Sequence, residues 1–430
     1  AEPSIPLDAG GQPVRKAIAW FDNRTREQVE WWQRQVGPDR LYQVTGVPLQ
    51  PIFGILKLQW LQRHEPDTFQ RIRRWLNVAD YIAYRLCGQQ ATDFSLATRT
   101  MALDLRALTW SEAILETARV PRHVMADLAP SATPLGPITP EAARVCGLPE
   151  GAIVAVGGHD HPCAALGAGV IGPGRVLDSM GTAEALLMVT DSPCLDPRLG
   201  RAGYSEGAHV VPGRFYSFGG LYTSGACLEW IRTVLMPEVG DLQEAYRRLE
   251  AMAREVPPGS LGVHFLPHLR FASPPYDDPL ARGCFVGLTT DVSPGILVRA
   301  VLEGLAYDAH HSLQVLQELL NLPVHHIRAV GGSTRNRLLM EIKAALSPVP
   351  YTVADIDEAG ARGACLLAGV AAGVFPSLEE AVRQVGTPET PVPVRTDWVE
   401  GYRQRYQEVF VQLYPALARV HQIISSRFAS

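Results

Sequence analysis

The sequence predicts an α/β protein of more than one domain, on three observations. The stretch Gly151 to Leu186, GAIVAVGGHDHPCAALGAGVIGPGRVLDSMGTAEAL, alternates short apolar runs with glycine corners. From His326 to Gly373 the order is strand, glycine turn, helix, strand, helix, an α/β unit with a turn at a strand's carboxyl end, the usual place for a nucleotide. The 430 residues are enough for two or three separate cores.

From the start of the chain, Gly10-Gly11-Gln12-Pro13 reads as a turn and Arg15 to Trp20 as a strand entering a core. If that strand continues, Trp20, Asp22 and Arg24 share one face. An aromatic wall beside an acid and a base suits a sugar, whose hydroxyls need both acceptors and donors. A surface salt bridge next to a core tryptophan explains the segment equally well. Thr25 to Val36, Pro51 to Arg63 and Asp67 to Leu86 are helical patterns, with Gly37 and Gly88 as stops. ATDFSLATRTMALDL reads as loop or strand carrying Asp93, Phe94 and Thr98. Thr109 and Glu112 fit a capping box for the next helix, and Pro121 to Pro149 is an irregular connection.

In the central stretch, Ile153 to Val156 is short enough for a buried strand, ended by Gly157-Gly158 and followed by His159-Asp160. Ala164 to Gly169 reads as a tightly packed helix, and the strand Arg175 to Ser179 delivers a second corner at Gly181-Thr182. One corner presents a carboxylate and the other backbone amides. Phosphoryl transfer to a hydroxyl needs both, a base for the acceptor and donors for the phosphate. Locally, Asp160 reads as readily as a helix N-cap, His159 as a packed histidine and Gly181-Thr182 as an ordinary turn.

Beyond Leu186, the runs Leu186 to Thr190, His209 to Val211 and Arg214 to Phe218 read as sheet. Tyr222 to Leu235 starts a helix behind Ser224 and Gly225. GVHFLPHLRFASPPYDDPLARGCFVGL is strand and loop with Arg270, Asp277, Asp278 and Arg282. Ser293 and Pro294 open a long helix reaching Leu320, whose His310 and His311 lack companions at metal-ligand spacing. His326 to Val330 is a strand, Gly331-Gly332-Ser333 a turn, Arg335 to Leu346 a helix, Tyr351 to Ala354 a strand and Glu358 to Gly373 a small-residue helix. Ser377 and Glu380 form a capping box, and Asp397 to Ile424 is a final amphipathic helix.

Composition narrows the partners. A net charge of -5 without a basic block argues against nucleic acid and anionic membrane surfaces. No apolar run approaches a membrane span. Seven cysteines without a C-x-x-C pair predict reduced thiols, a cytoplasmic location and no structural zinc.

Taken in order, AIAWFDNR, TDFSLATRT, GGHDHPCAALGAG, DSMGTAEA, FLPHL…PPYDDPLARGCFVGL and AVGGSTRN…EAGARGACLLAG make the chain resemble the FGGY carbohydrate kinases. The resemblance implies a two-domain actin-like ATPase (ribonuclease H-like) fold that phosphorylates sugars or polyols with ATP and Mg2+. It implies a sugar-binding domain over residues 1–170 and a nucleotide-binding domain over 171–430, the last helix packing back on the first domain. Asp160 would be the general base, and Trp20, Asp22, Arg24, Asp93, Phe94 and His159 would hold the substrate. Gly181, Thr182, Ser224, Gly225, Gly331, Gly332 and Asn336 would hold ATP and its phosphates, with no protein metal cluster.

Two departures stand out. Relatives begin with a strand hairpin bearing Asp-x-Gly-Thr, a first phosphate loop whose acid helps hold magnesium. This chain starts at PLDAGGQPVRKAIAW without it, so the first domain is expected to be incomplete and its Arg15 to Trp20 edge to promote a homodimer. Where relatives carry Gly-Glu-Arg, this chain has FLPHLRFASPP, with Arg270 and Ser273 as substitutes. The expected substrate is a ketopentose, deoxyketose or aldonate. The histidine–aspartate pair leans to deoxy-sugar kinases and AIAWFDNR to xylulose and gluconate kinases, while Phe94 stands where glycerol kinases carry tyrosine. The alternative is an impaired nucleotide- or sugar-binding remnant.

Overall fold

A computed structural model describes residues 3–427. Its centre is a seven-stranded sheet, ordered Glu389–Pro391, Tyr351–Ala354, His326–Val330, Arg175–Met180, Glu184–Thr190, Phe215–Leu221 and Ser205–Ala208. The second, third and fourth of these are parallel and the remaining pairings antiparallel. Both faces are covered, so the strands are apolar on alternate positions in both directions. Val176 pairs with Met188 and faces the core that holds Leu305, Leu339 and Tyr402. Leu177 pairs with Leu187 and faces the opposite core, with Ala165, Val330 and Ala354.

The first core is filled by Pro294–Leu320, with Ser293 as N-cap and Pro294 in its first turn. Seventeen of its residues from Gly295 to Leu316 are buried, because it is packed between the helices Leu242–Arg254 and Arg337–Leu346 and the strand His264–Leu266. Arg299 on this helix donates to Glu303 (2.9 Å) and to the Tyr402 hydroxyl (2.5 Å), tying it to the C-terminal helical segment. Phe410 and Leu413 of that segment bury in this same core. The segment is not one helix. Thr396–Arg405 and Val411–Arg427 are joined by a π-helical turn, Tyr406–Phe410.

Residues before 160 build a separate core around Trp32, Leu56, Trp75, Met101 and Trp110. Three expectations are corrected here. Arg15 to Trp20 is not a strand; only Ile18 makes a bridge, to Ser4. The pairing belongs instead to Ser4–Leu7 against Arg74–Asn77, so the edge invoked for a homodimer is not formed at those residues. Asp67 to Leu86 is not one helix but Pro66–Arg71, the strand Arg74–Asn77 and Val78–Cys87. Asn77 and Asp80 cap each other's backbone in a capping box, which ends the strand and starts a new helix. The helix after Thr109 is capped by Ser111, not Thr109.

The parallel register sets the site. Val330 lies opposite Ser179, so the corners that follow both strands emerge side by side. Gly331 has φ +99°, and a Cβ there would fall 2.5 Å from the Met180 carbonyl oxygen. Only glycine lets the two corners close on each other.

Candidate active site

The corner Gly181-Thr182-Ala183 joins the antiparallel strands Arg175–Met180 and Glu184–Thr190 and is exposed. It interlocks with the start of the helix Gly225–Leu235. The amides of Gly225 and Ala226 donate to the carbonyls of Gly181 (3.1 Å) and Thr182 (2.9 Å). A Cβ on Gly225 would sit 2.6 Å from the Gly181 oxygen. The helix start is thus pinned beside the corner: its first amides are spent on the corner's carbonyls, and what it offers an anion is the partial positive charge of the helix dipole. One expectation needs correcting. The Gly181 amide does not face outward to a phosphate but donates to the Ala183 carbonyl (2.9 Å) within the turn.

A cavity of about 1140 Å³ opens here, and Gly181, Thr182, Gly225, Gly332 and Asn336 all line it. Gly181 and Asn336, far apart in the chain, therefore meet in one hollow. Asn336 caps the helix Arg337–Leu346 by accepting the Leu339 amide (2.9 Å). Gly331, which is exposed, and Ser224 are not among the lining residues. Ser224 is buried and donates to Glu184 (2.7 Å). The remaining lining includes Trp230 and Tyr246. Tyr246 belongs to Leu242–Arg254, a helix the sequence reading passed over although Asp241 caps it through the amides of Gln243 and Glu244. Hydrogen bonds from Arg232 and Tyr246 hold Glu229 in this wall at about 2.

Behind the corner is a buried ion network. Lys343 donates to Asp178 (2.7 Å) and Glu184 (2.5 Å), and Tyr351 donates to Asp178. Burial disfavours the Lys343 ammonium, but the two carboxylates outweigh it and raise its pKa. Burial, with Asp178 alongside, pushes Glu184 up to about 7 against the pull of Lys343 and Ser224. Asp178 and Glu184 sit on the two strands flanking the corner, so one ammonium clamps both of its arms to the helix Arg337–Leu346.

Asp160 opens the helix Asp160–Gly167. His159, not Asp160, is the N-cap residue. Asp160 is therefore not spent as a cap; its side chain is 64% exposed and accepts the His161 amide at 2.9 Å. Burial of the group works against ionisation, but His159, His161 and that amide outweigh it and hold the carboxyl at about 2. The helix packs on Ala359–Ala371 with no room between backbones, Gly167 against Ala359 and Gly363 against Cys163. His159 is buried, its Nε2 lies 3.4 Å from Asp160, and its amide donates to Ser95 Oγ (2.8 Å). Burial lowers the His159 pKa well below its ordinary value.

The expected substrate residues divide. Asp93 is fully buried and caps the helix Phe94–Thr98, accepting the amides of Ser95 and Leu96 and the hydroxyls of Ser95 (2.6 Å) and Ser131 (2.9 Å). This corrects its expected role as a sugar contact. Through Ser95 it positions the backbone of His159. Phe94 is half-buried beside it. Trp20 is 50% exposed. Asp22 and Arg24 form a two-pronged pair (2.9 and 2.7 Å), with Arg24 over the Trp60 ring at 4.7 Å. The Arg24 hydrogen bond lowers the Asp22 pKa.

Among the described residues no three His, Cys, Asp or Glu side chains converge on a metal position. No described helix is long and apolar enough to cross a membrane. The seven cysteines form no disulfide.

Comparison with known proteins matches residues 1–167 to the N-terminal domain of the FGGY family of carbohydrate kinases and residues 177–372 to its C-terminal domain. A xylulose kinase of Lactococcus lactis is 28% identical over 98% of this chain and 82% of that protein. A glycerol kinase of Citrifermentans bemidjiense is 32% identical over 85% of this chain and 73% of that protein. The crystal structure of xylulose kinase from Rhodospirillum rubrum superposes with a TM-score of 0.88 at 29% identity, covering 97% of this chain and 83% of that one. The architecture is the two-domain actin-like ATPase fold of these kinases.

Proposed function

The chain belongs to the FGGY family of carbohydrate kinases, and from that premise we propose that it transfers the terminal phosphoryl group of ATP to a hydroxyl of a ketose or aldonate, with Asp160 as general base. One observation carries the reading. A single cavity gathers Gly181, Thr182, Gly225, Gly332 and Asn336, and the helix headed by the exposed, ionised Asp160 is packed rigidly onto the same half of the molecule.

The chemistry is a displacement. The acceptor hydroxyl gives its proton to Asp160, its oxygen bonds to the terminal phosphorus, and the bond from that phosphorus to the bridging oxygen breaks, releasing ADP. The N-terminus of Gly225–Leu235 faces the phosphates, while Gly332 and Asn336 hold the adenosine end. Magnesium fits as a passenger on the nucleotide's phosphates, where it neutralises their charge. Trp20 offers a ring face to the sugar, and Asp22 and Arg24 offer acceptors and donors. A sugar suits this aromatic and charged wall better than glycerol does.

The test is ADP release from Mg-ATP against ketopentoses, deoxyketoses, aldonates and glycerol. Asp160→Asn should cut turnover by roughly 10²–10⁴-fold, the usual worth of a general base. Turnover unchanged in that variant removes Asp160 from the role. Because Asp160 titrates near 2, its basic form is complete at neutral pH, and kcat/KM should show no acid limb from this group above about pH 4.

A further inference from the structure

We propose that Arg270 is a catalytic residue of this kinase, the cation that meets the transferring phosphoryl group; the proposal rests on the reading just given. Arg270 lines the same cavity as Gly181, Thr182 and Gly225. Its side chain is exposed and makes no hydrogen bond or ion pair among the described residues. Two other arginines line that wall: Arg247 is already paired with Glu244 (2.7 Å), and Arg335 belongs to the turn Gly332–Arg335 beside Asn336, at the other end from the Gly181 corner in the reading above.

A chain of contacts places Arg270 at the phosphate end of the cavity rather than the adenosine end. The loop from Pro267 to Ser273 straps across Tyr222 and Thr223. Thr223 donates to the Pro267 carbonyl, the Tyr222 amide donates to Ser273 Oγ (3.0 Å), and the Phe271 ring lies tilted against Tyr222 with centroids 4.3 Å apart. The next residue, Ser224, donates its amide to the Thr182 carbonyl (3.3 Å). Arg270 thus stands one hydrogen-bonded strap away from the phosphate corner. Its neighbours are fixed: Ala272 is buried and its amide donates to the Asp278 carbonyl (2.9 Å). The same loop reaches the other half of the molecule, where Gln50 donates to Asp277 (3.3 Å), so it borders the cleft.

The Gly181 amide is used up inside its own turn, so the corner offers less positive charge than expected, while negative charge on the terminal phosphoryl oxygens must still be met. A planar guanidinium with no prior partner supplies it, donating to two oxygens at once. Its effect is largest in the transition state, where charge spreads over those oxygens.

The test compares Arg270→Ala and Arg270→Lys with the unaltered protein in two assays. In turnover with the best acceptor, Arg270→Ala should lose about 10²–10³-fold in kcat with the acceptor KM within about threefold, and Arg270→Lys should fall between. In calorimetry with Mg2+, the alanine variant should bind adenosine 5′-(β,γ-imido)triphosphate at least ~10-fold more weakly but ADP within ~3-fold. Equal losses for both nucleotides would assign Arg270 a merely structural role and overturn the proposal, as would unchanged kcat. Failure of the kinase reading is visible separately, as an unaltered protein that releases no ADP with any acceptor. The imidotriphosphate comparison then decides Arg270 alone, and equal binding by variant and unaltered protein overturns it.

Discussion

The two sides of the cleft are built differently. On the nucleotide side, polar groups are buried and cross-braced: Lys343 joins Asp178 and Glu184, Ser224 joins Glu184, and the Gly181 corner is hydrogen-bonded to the helix at Gly225. On the proposed sugar side, Trp20 and Phe21 stand exposed, and Asp22 and Arg24 pair with each other, their contact to the scaffold being Arg24 over the Trp60 ring. On the function proposed above, the contrast follows from what each side binds. The phosphate site is the same for any acceptor and gains from rigidity. A sugar site must trade its internal pair for hydroxyls, so its groups are held by contacts cheap to exchange.

That contrast can be broken most sharply at Lys343. Lys343→Met leaves two carboxylates buried without their cation and should cost about 3–5 kcal/mol in denaturant unfolding, with a higher KM for ATP. A loss under about 1 kcal/mol would mean that the network does not brace the corner. Gly225→Ala is next. The new methyl meets the Gly181 carbonyl, part of a hydrogen-bonded backbone, and should cost about 1–3 kcal/mol while nucleotide affinity falls and the acceptor KM holds. On the sugar side, Asp22→Asn should change stability by less than about 1 kcal/mol, since the pair is partly exposed, yet raise the acceptor KM. A matching loss of stability there would erase the distinction.

A last effect, on the fold rather than on either site, concerns pH at the seam between the halves. The Glu206 amide donates to the Gly46 carbonyl, and burial pushes the Glu206 carboxyl up to about 8. Asp80, in the first half, is likewise raised by burial to about 8. The folded chain holds these protons where the unfolded chain has released them. Their stabilisation is therefore complete below the ordinary carboxylate values and is lost as pH rises to about 8. Melting temperature should fall across that window, and Glu206→Gln should flatten the slope.

The second half of the chain was the more legible. Ser293-Pro294 announced its long helix, and apolar runs ending in Gly181 and Gly331 announced the corners, because there a strand end and its turn are written by adjacent residues. The first half was harder. Apolar residues at Asp67 to Leu86 fit a helix until Asn77 and Asp80 are recognised as a box that restarts it. The resemblance places Asp93 in a sugar-site segment, and the sequence alone does not distinguish a buried cap from a sugar acceptor there. The Lys343 network was invisible: its partners lie 165 and 159 positions away, and no local pattern marks them.

The glycine contacts between Asp160–Gly167 and Ala359–Ala371 have a mechanical consequence. By family boundaries the first of these helices closes the N-terminal domain, yet it is seated on a helix of the C-terminal one. The proposed base and the proposed phosphate corner thus share a chassis. If the halves hinge, the distance between proton acceptor and phosphorus stays set, and the moving jaw is the one that carries Trp20. The stroke of such an enzyme delivers cargo to a finished tool.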